Sequence, residues 1–530
     1  MENGLSRLTD PGITVSEIPS MDEPIRISTN STAAFVGSAL RGPVDIPVTV
    51  SSFADYKRSF GGDWQRGSLG FAVRQFFEHG GQTAHIVRVT NGATGATIIL
   101  PAAAEKMVLR ALEPGSTEIL RAAIDLDGIE RNDSGTFNLT VQRLDPETGF
   151  VIDQEIHRRV NCVAGDEAFI GDVLLKSSLV RLDSNASTVR PDITTGPGIH
   201  FGSAYIGIDK RGKDGRPLTD YDVIGSARNG SGIFALSGVE SFDFLYLPPP
   251  QTDTDFGPTA ILAAELYCRK RRALLIMDPP LAARSAPGVM RMFADAGYSS
   301  ANILAYYPRL RLRDSKNEAK IAAGGAIAGL LCRLDREHGV WSGLESAPAE
   351  FQAGLEPAET IDEATQQSLL RSGINVVANS RPKRCRVLGS VTLGAGSQMY
   401  NAFAKLGVRR TCLMILKNIE RGTRWIVFEK NERSMRERLR SQVHAYLTGL
   451  ADSGMLVDDD VYVRCDSDEQ GRAVAGSTGV NILISFHPRG WGQPLSFTIH
   501  QSVPGAKTVA TAFAPAQGSV RTGTSDADIA

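Results

Sequence analysis

One segment of the sequence has the spacing of a phosphate-binding loop. Residues 207–214, GIDKRGKD, fit the pattern G-x-x-x-x-G-K, in which backbone amides surround the phosphates and the lysine contacts them. The pattern needs serine or threonine after the lysine to bind magnesium, but this chain has Asp214 there. Gly215 and Pro217 also interrupt the helix that should follow the loop. We therefore expect a surface hairpin loop and no nucleotide site.

Two other segments contain side chains that could act in catalysis. Asp278 follows the apolar run 273–277, the position at which α/β enzymes carry catalytic groups. Residues 132–135, NDSG, resemble a serine-protease loop. No histidine, second carboxylate or glycine-rich loop converges on either segment, and Asp278 precedes two prolines as a turn-forming residue does. We therefore predict that the chain is not an enzyme.

The cysteines and the composition exclude further classes of site. The six cysteines stand at positions 162, 268, 332, 385, 412 and 465, without a C-x-x-C pair or a Cys/His cluster, which predicts buried free thiols and no metal. Fifty-seven basic and 59 acidic side chains give a net charge of −2, so nothing favours nucleic acid or an anionic membrane as a partner. No apolar run approaches the roughly 20 residues that span a bilayer. The start, MENGLSRLTDPG, has no signal-peptide core, so we expect cytosolic synthesis, and we predict no cofactor.

One amphipathic helix is the clearest periodic feature of the sequence. Its apolar residues recur at helical spacing: Met435, Leu439, Val443, Tyr446, Leu447 and Leu450. Asn431 can cap its start, and Gly454 can follow its last turn. Its cationic residues lie along the flank of that apolar stripe: Arg433, Arg436, Arg440 and His444. On spacing alone this flank is a solvated face. The apolar runs 412–416 and 425–428 before the helix predict two strands.

Strand patterns occur near both ends of the chain. Ile13, Val15 and Ile18 alternate with polar residues between Pro11 and Pro19, and a lone strand of this kind must pair with a sheet elsewhere. Near the other end, residues 461–465, 480–486 and 495–501 predict three strands, and Phe497 and Ile499 alternate along the last. Residues 505–530 are small and polar, which predicts a flexible tail.

The rest of the chain alternates between two kinds of pattern. Residues 33–89 and 242–306 contain apolar strands separated by helices, which predicts a mostly parallel α/β sheet. Residues 91–237 contain short alternating runs between glycine, threonine, asparagine and aspartate turns, which predicts an inserted β-rich domain.

Several motifs resemble those of contractile-tail sheath proteins, which belong to contractile bacteriophages and related injection machines. The longest match is residues 31–62, STAAFVGSALRGPVDIPVTVSSFADYKRSFGG. A second is the helical segment 324–341, in which the matching residues are Gly325, Ala328, Gly329, Arg333, Asp335, Gly339, Val340 and Trp341. A third is residues 409–431, with R-R followed by I-x-x-G-T-x-W-x-V-F-E-x-N. The usual Pro-Pro before the second match is Ala322-Ala323 here, so the local loop geometry differs from the family pattern.

The resemblance implies an α/β and α+β multidomain fold with nested domains. We expect an N-terminal strand arm (1–24), a middle α/β domain (25–92 with 239–378) and an inserted β-rich outer domain (93–238). An inner α+β polymerisation domain (379–502) and a flexible tail (503–530) complete the layout. Ile13, Val15, Ile18, Phe497 and Ile499 are then candidates for strands exchanged between subunits, and Arg433, Arg436 and Arg440 for a surface facing the tube.

The resemblance also implies function and partners. A sheath subunit polymerises helically around an inner tube and contracts to drive the tube through a cell envelope. Its partners are identical subunits, the tube protein, and baseplate and tail terminator proteins, in a virion tail assembled in the host bacterial cytoplasm. The alternatives are the sheath of a phage-derived bacteriocin or other contractile injection system, a non-contractile surface-layer assembly, and an α/β enzyme.

Overall fold

The structure is a computed structural model that describes residues 24–26, 31–183, 188–195, 204–313, 320–344, 349–352, 354–381, 384–396, 402–429, 432–457, 461–466, 480–502 and 505–511. The chain divides into two compact units. The larger unit comprises residues 29–413, and the smaller combines residues 1–28 with residues 414–530. The predicted arm strand with Ile13, Val15 and Ile18 lies outside the described residues.

The described strands are short and distributed along most of the chain. They are β1 (Ala33–Gly37), β2 (Val48–Val50), β3 (Ala84–Arg88), β4 (Gly95–Ala102), β5 (Glu105–Pro114), β6 (Ile119–Asp125), β7 (Phe137–Leu144), β8 (Val151–Val160), β9 (Val180–Leu182), β10 (Ile206–Gly207), β11 (Phe244–Tyr246), β12 (Leu274–Met277), β13 (Ile303–Tyr307), β14 (Leu310–Leu312), β15 (Leu355–Pro357), β16 (Ile374–Arg381), β17 (Arg384–Leu388), β18 (Tyr462–Asp466), β19 (Val480–Phe486), β20 (Leu495–Ser502) and β21 (Gly505–Thr511).

The described helices include ten α-helices and several shorter 3-10 segments. The α-helices are α1 (Phe53–Phe60), α2 (Leu69–Glu78), α3 (Ile170–Leu174), α4 (Asp220–Ile224), α5 (Pro258–Arg271), α6 (Ala286–Asp295), α7 (Gly324–His338), α8 (Glu363–Arg371), α9 (Leu406–Gly422) and α10 (Arg433–Asp452). The 3-10 segments are Gly232–Gly238, Leu393–Gly396 and Arg424–Phe428.

The larger unit contains an eight-stranded sheet with the order β17-β16-β13-β12-β11-β1-β3-β2. Neighbours from β3 through β16 are parallel, whereas the outer pairs β2·β3 and β16·β17 are antiparallel. Strands β1, β11, β12 and β13 are buried along their whole length, as expected when helices cover both faces of a parallel sheet. The mostly parallel α/β sheet that the sequence predicts is therefore present.

Two helices of this unit, α2 and α7, approach each other through glycine. A Cβ atom added to Gly325 would lie 2.3 Å from the carbonyl oxygen of Ala72, and one added to Gly329 would lie 2.3 Å from that of Phe76. Such distances are far below van der Waals contact, so a side chain at either glycine would push the helices apart. The small residues at the start of α7 thus allow its backbone to pack directly on α2.

The region between β3 and β11 forms two separate antiparallel sheets. Their orders are β4-β5-β9 and β10-β6-β7-β8. A shared apolar core includes Leu100, Met107, Leu109, Phe137 and Leu139, all fully buried. The β-rich character that the sequence predicts for this region is present.

The smaller unit contains a four-stranded antiparallel sheet with the order β18-β19-β20-β21, and α10 contacts β18. Phe486 and Phe497 stack across neighbouring strands with their ring centroids 5.6 Å apart. Ile482, Ile484 and Ile499 are fully buried with them. This sheet therefore has an apolar core of its own.

The prediction of strands at residues 412–416 and 425–428 is wrong. The first run lies inside α9, in which every residue from Val408 to Leu416 is buried. The second lies in the 3-10 segment Arg424–Phe428. A short continuous apolar run fits a buried helix as well as a strand, and only the longer period separates the two.

Two predicted boundaries also differ from the structure. The boundary at residues 378/379 falls inside β16, and the eight-stranded sheet continues through β17. The predicted flexible tail contains β21, which pairs with β20 along seven residues.

Candidate assembly interface

Helix α10 presents two faces of different character. The predicted apolar stripe is confirmed, since Met435, Leu439, Val443, Tyr446, Leu447 and Leu450 are the buried residues of this helix. The helix begins at Arg433 after Glu432, whose side chain makes no capping hydrogen bond, and Asn431 lies outside the described residues. Gly454 follows the helix with a positive φ of 76°, as the sequence predicts. The remaining residues of α10 are exposed or half-buried, and they include its cationic side chains.

The cationic residues of α10 are mostly exposed. Arg433 is 88% exposed, and its Nε atom lies 2.9 Å from an oxygen of Glu437 one turn later. Arg440 and His444 are exposed, and Arg436 is half-buried. Exposed ion pairs of this kind contribute only about 0–1 kcal/mol to stability. These side chains can therefore exchange partners without unfolding the helix.

An aromatic pair just before α10 was not singled out from the sequence. The indole Nε1 of Trp425 donates to the Gln442 side chain at 3.1 Å, and the Arg438 guanidinium lies 4.1 Å from the Trp425 ring centroid. Phe428, three residues later, is 91% exposed. Trp425 is half-buried and Phe428 is exposed, and residues 424–428 are too few for a periodic pattern to distinguish the two positions.

The candidate exchange strand at the other end of the chain lies inside a sheet. Phe497 and Ile499 are buried on β20, which pairs with β19 on one side and β21 on the other. β20 therefore has no unpaired edge along these residues, and an exchange role for Phe497 and Ile499 stays a prediction. The sheet edges are β18 and β21, and backbone groups at an edge can accept a strand from another chain.

Asp278 caps a helix. Its carboxylate accepts backbone N–H groups of Ala323, at 2.7 Å, and Gly324, at 3.1 Å, at the start of α7, and it accepts the Tyr246 hydroxyl. Burial raises the pKa of this carboxyl group, although Arg309 opposes the rise. Asp278 is therefore more than a turn residue. Its side chain accepts hydrogen bonds from backbone N–H groups at the start of a helix 45 residues away, which have no partner within that helix.

The segment that resembles a phosphate loop is extended. The backbone N–H of Lys213 donates to the Thr94 carbonyl and Thr94 donates in return, each at 2.9 Å. The Asp214 carboxylate accepts the backbone N–H of Ser116 at 2.7 Å. The next helix, α4, has five residues and begins only at Asp220. A strand–loop–helix cradle for phosphate is therefore not formed.

The remaining chemical candidates are structural. Asp133 accepts the backbone N–H groups of Gly135 and Thr136 in an exposed turn, at 3.0 and 2.9 Å. All six cysteines are free thiols and five are buried, as predicted, and burial raises the pKa of Cys412 to about 12. Among the described residues, no group of three His, Cys, Asp or Glu side chains could hold a metal ion. No helix among them is long and apolar enough to cross a membrane.

The α9–β20 region matches a known family model. Residues 400–497 match the family model of the phage tail sheath C-terminal domain. The resemblance to tail sheath proteins is confirmed. The tail sheath protein of Vibrio phage KVP40 is 28% identical over 143 residues, which are 26% of this chain and 20% of that protein. A putative prophage major tail sheath protein of Pseudomonas aeruginosa UCBPP-PA14 is 24% identical over 230 residues, 43% of this chain and 58% of that protein.

Solved sheath structures share the fold beyond this sheath C-terminal domain. The crystal structure of the sheath tail protein Lin1278 from Listeria innocua covers 90% of this chain and 96% of its own, with a TM-score of 0.60 at 14% identity. The contracted helical sheath of the anti-feeding prophage covers 92% of this chain and 97% of its own, with a TM-score of 0.53 at 15% identity. At such identities the likeness concerns the fold. The matched regions also span less than two thirds of the two curated relatives.

Two buried arginines explain the R-R motif of the sheath C-terminal domain. The Arg410 guanidinium forms a two-pronged ion pair with Asp335 on α7, and both side chains are buried. Burial disfavours the charge on Arg410, but the Asp335 carboxylate outweighs this and raises the Arg410 pKa. Arg409 donates to the Asn302 side chain at 2.7 Å, and burial lowers its pKa to about 10. One residue of each motif, Asp335 of the α7 motif and Arg410 of the R-R motif, therefore meets the other in a single buried contact.

Proposed function

We propose that this chain is the structural subunit of a contractile sheath, which polymerises helically around an inner tube and contracts to drive the tube through a target envelope. The observation that carries the proposal is the fold likeness to sheath proteins along 90% of the chain, joined to the family match at residues 400–497. The capping role of Asp278 and the extended backbone at Lys213 remove the two best arguments for an α/β enzyme.

We propose the assembly context by the same reasoning. The partners are identical subunits, a tube protein, and baseplate and terminator proteins, in a virion tail assembled in the bacterial cytoplasm. A phage-derived bacteriocin or another injection system is the alternative, since one of the similar structures is the contracted sheath of the anti-feeding prophage. The genes beside this one separate the two: capsid and terminase genes indicate a phage.

The layout that we propose is nested. An inner domain from both chain ends forms the lattice, the eight-stranded sheet forms the middle, and the two β-sheets of residues 95–207 form an outer insertion. Replacing residues 91–237 with a short linker should leave a folded chain that still forms tubes. The design must allow for Arg88, whose buried guanidinium donates to the Pro114 carbonyl at 2.7 Å as well as to Ala39 and Gly42. A folded variant that never forms tubes would show that the insertion belongs to the lattice.

Strand exchange is the link that we propose between subunits. The arm with Ile13, Val15 and Ile18 is expected to add to an exposed edge of a neighbour's four-stranded sheet, where main-chain hydrogen bonds supply the affinity. Phe497 and Ile499 then form the core of the receiving sheet and belong to the link only through β20. Deleting residues 1–20 should give folded monomers that do not polymerise. If this variant forms tubes of normal length, the arm is not the link between subunits.

The contact with the tube is assigned to Arg433, Arg436 and Arg440. Exposed guanidinium groups suit a reversible contact with acidic side chains, because each pair contributes little and can separate during contraction. The test is the double variant Arg433→Glu with Arg440→Glu, mixed with purified tube protein. It should form empty sheath tubes like the native chain but should no longer coat the tube. Normal coating would remove this surface from the contact.

A further inference from the structure

The larger unit contains a cavity of about 450 Å³ that opens to the surface at the carboxyl end of β11. Aromatic side chains form its walls: Trp64, Phe71 and Tyr246. Its rim includes the first turn of α2 and the residues just before α7. This is the end of a parallel sheet at which α/β folds bind ligands, yet no group with catalytic geometry opens into it.

The chemistry of the cavity suits an aromatic guest. The Arg74 guanidinium lies 5.2 Å from the Phe71 ring centroid, and Lys320 also lines the opening. Aromatic walls favour edge-to-face contact with another ring, and cations are attracted to ring faces. Arg74 and Lys320 are each held by a carboxylate, Asp63 at 2.6 Å and Glu359 at 2.9 Å, so the cavity does not need an anion.

Phe428 is an exposed aromatic side chain of the kind that such a cavity binds. It is 91% exposed at the end of a 3-10 turn, the highest exposure among the large apolar residues of the described chain. The turn itself is fixed, since Ile426 is buried and Trp425 is bonded to Gln442. Phe428 is therefore presented on a supported backbone.

We propose that Phe428 of one copy inserts into the Trp64–Phe71–Tyr246 cavity of a second copy, an inference that rests on the proposed polymer. The two surfaces are different parts of the chain, so their contact is head-to-tail, an arrangement that builds rings or open helical arrays. One buried phenylalanine is far too small an interface for a stable dimer, whose partners bury about 800 Å² each, but a polymer repeats it in every subunit. This argues for a lattice contact and against a closed pair.

The direct test is a disulfide between copies. Chains with Phe428→Cys and chains with Thr252→Cys, an exposed position on the cavity lining, are mixed before tube assembly and oxidised. The mixture should give several-fold more cross-linked dimer than either variant alone, and background should be low because five of the six native cysteines are buried. A cross-link within one chain, or an equal yield when Phe150→Cys replaces Phe428→Cys, would overturn the proposal.

A second measurement uses the concentration needed for tubes to form. Phe428→Ser should raise it by about tenfold or more, from the apolar burial lost per contact. Phe428→Leu should restore part of the loss. The matched control is Phe150→Ser, at a position 73% exposed, which should leave the concentration unchanged. If the native chain forms no tubes, the polymer function itself fails. If tubes form and Phe428→Ser behaves like Phe150→Ser, only this contact is wrong.

Discussion

The Arg410–Asp335 pair in the larger unit and the Arg433–Glu437 pair on α10 have the same chemistry in opposite surroundings. The first pair is 6% and 1% exposed, whereas the second is 88% and 61% exposed. A buried charge must keep its partner, because the desolvation cost of an unpaired ion is several kcal/mol, while an exposed charge can exchange partners at almost no cost. The comparison teaches that similar sequence features can fix a fold in one region and remain available for binding in another.

The largest effect should come from breaking the buried pair. Asp335→Ala leaves the Arg410 guanidinium buried without its counter-charge and should lower the free energy of unfolding by about 3–5 kcal/mol. Chemical denaturation followed by circular dichroism measures the change. The control is Glu337→Gln, an exposed carboxylate on the same helix, which should be nearly neutral. Equal stability of the two variants would mean that the burial of Asp335 does not make its ion pair important for the fold.

Glycine offers a second contrast between the regions. Gly329→Ala on α7 places a Cβ against the Phe76 carbonyl and should destabilise by about 1–3 kcal/mol, because a well-packed contact is forced apart. Gly449→Ala on α10 meets nothing within 4 Å and should stabilise by up to about 1 kcal/mol through helix propensity. Thermal unfolding of both variants shows whether each change lowers or raises the stability of the chain. If both move in the same direction, the close helix contact does not constrain α7.

Asp278 should show the cost of a buried charge as a pH dependence. Its pKa in the folded chain is raised above the usual 3.8 by burial, so the folded state holds the proton more tightly than the unfolded state. The stability contributed by Asp278 is therefore present at low pH and is lost as the pH rises from 3.8 through the raised value. Asp278→Asn does not titrate, so it should gain stability relative to the native chain as the pH rises from 3.8 through the raised pKa of Asp278. A difference that is independent of pH, measured by urea unfolding, would contradict this.

The smallest effect on stability should come from the exposed pair. Arg433→Glu with Arg440→Glu should change the free energy of unfolding by about 0–1 kcal/mol, since the lost pairing and the new repulsion from Glu437 are both solvent-screened. Thermal unfolding at low and high salt measures it. A loss as large as that of Asp335→Ala would show that the cationic flank stabilises the fold, and the division between the regions would fail.

Local signals in the sequence predicted the elements that local chemistry determines. Ser52 caps α1 by accepting the Asp55 N–H at 3.1 Å, and Gly61 ends that helix in the left-handed conformation; serine and glycine are the residue types preferred at these positions. The apolar stripe of α10 was likewise readable, because period and burial coincide in an amphipathic helix. These features depend on residues a few positions apart.

Features that depend on distant residues were not predictable. Asp335 and Arg410 are separated by 75 positions, and only the folded chain brings them together. The same holds for Asp278 and the start of α7, which are 45 positions apart. α9 was mistaken for a strand because a run buried on all sides has no polar face to reveal its period.

The most direct test of the central claim is negative-stain electron microscopy of the purified native chain. The account predicts hollow tubes of uniform diameter that form without any other protein, because the lattice contacts are carried by the subunit itself. Their abundance should rise with protein concentration and fall in the variant lacking residues 1–20. A folded native chain that remains monomeric at high concentration, both alone and with tube protein, would contradict the account.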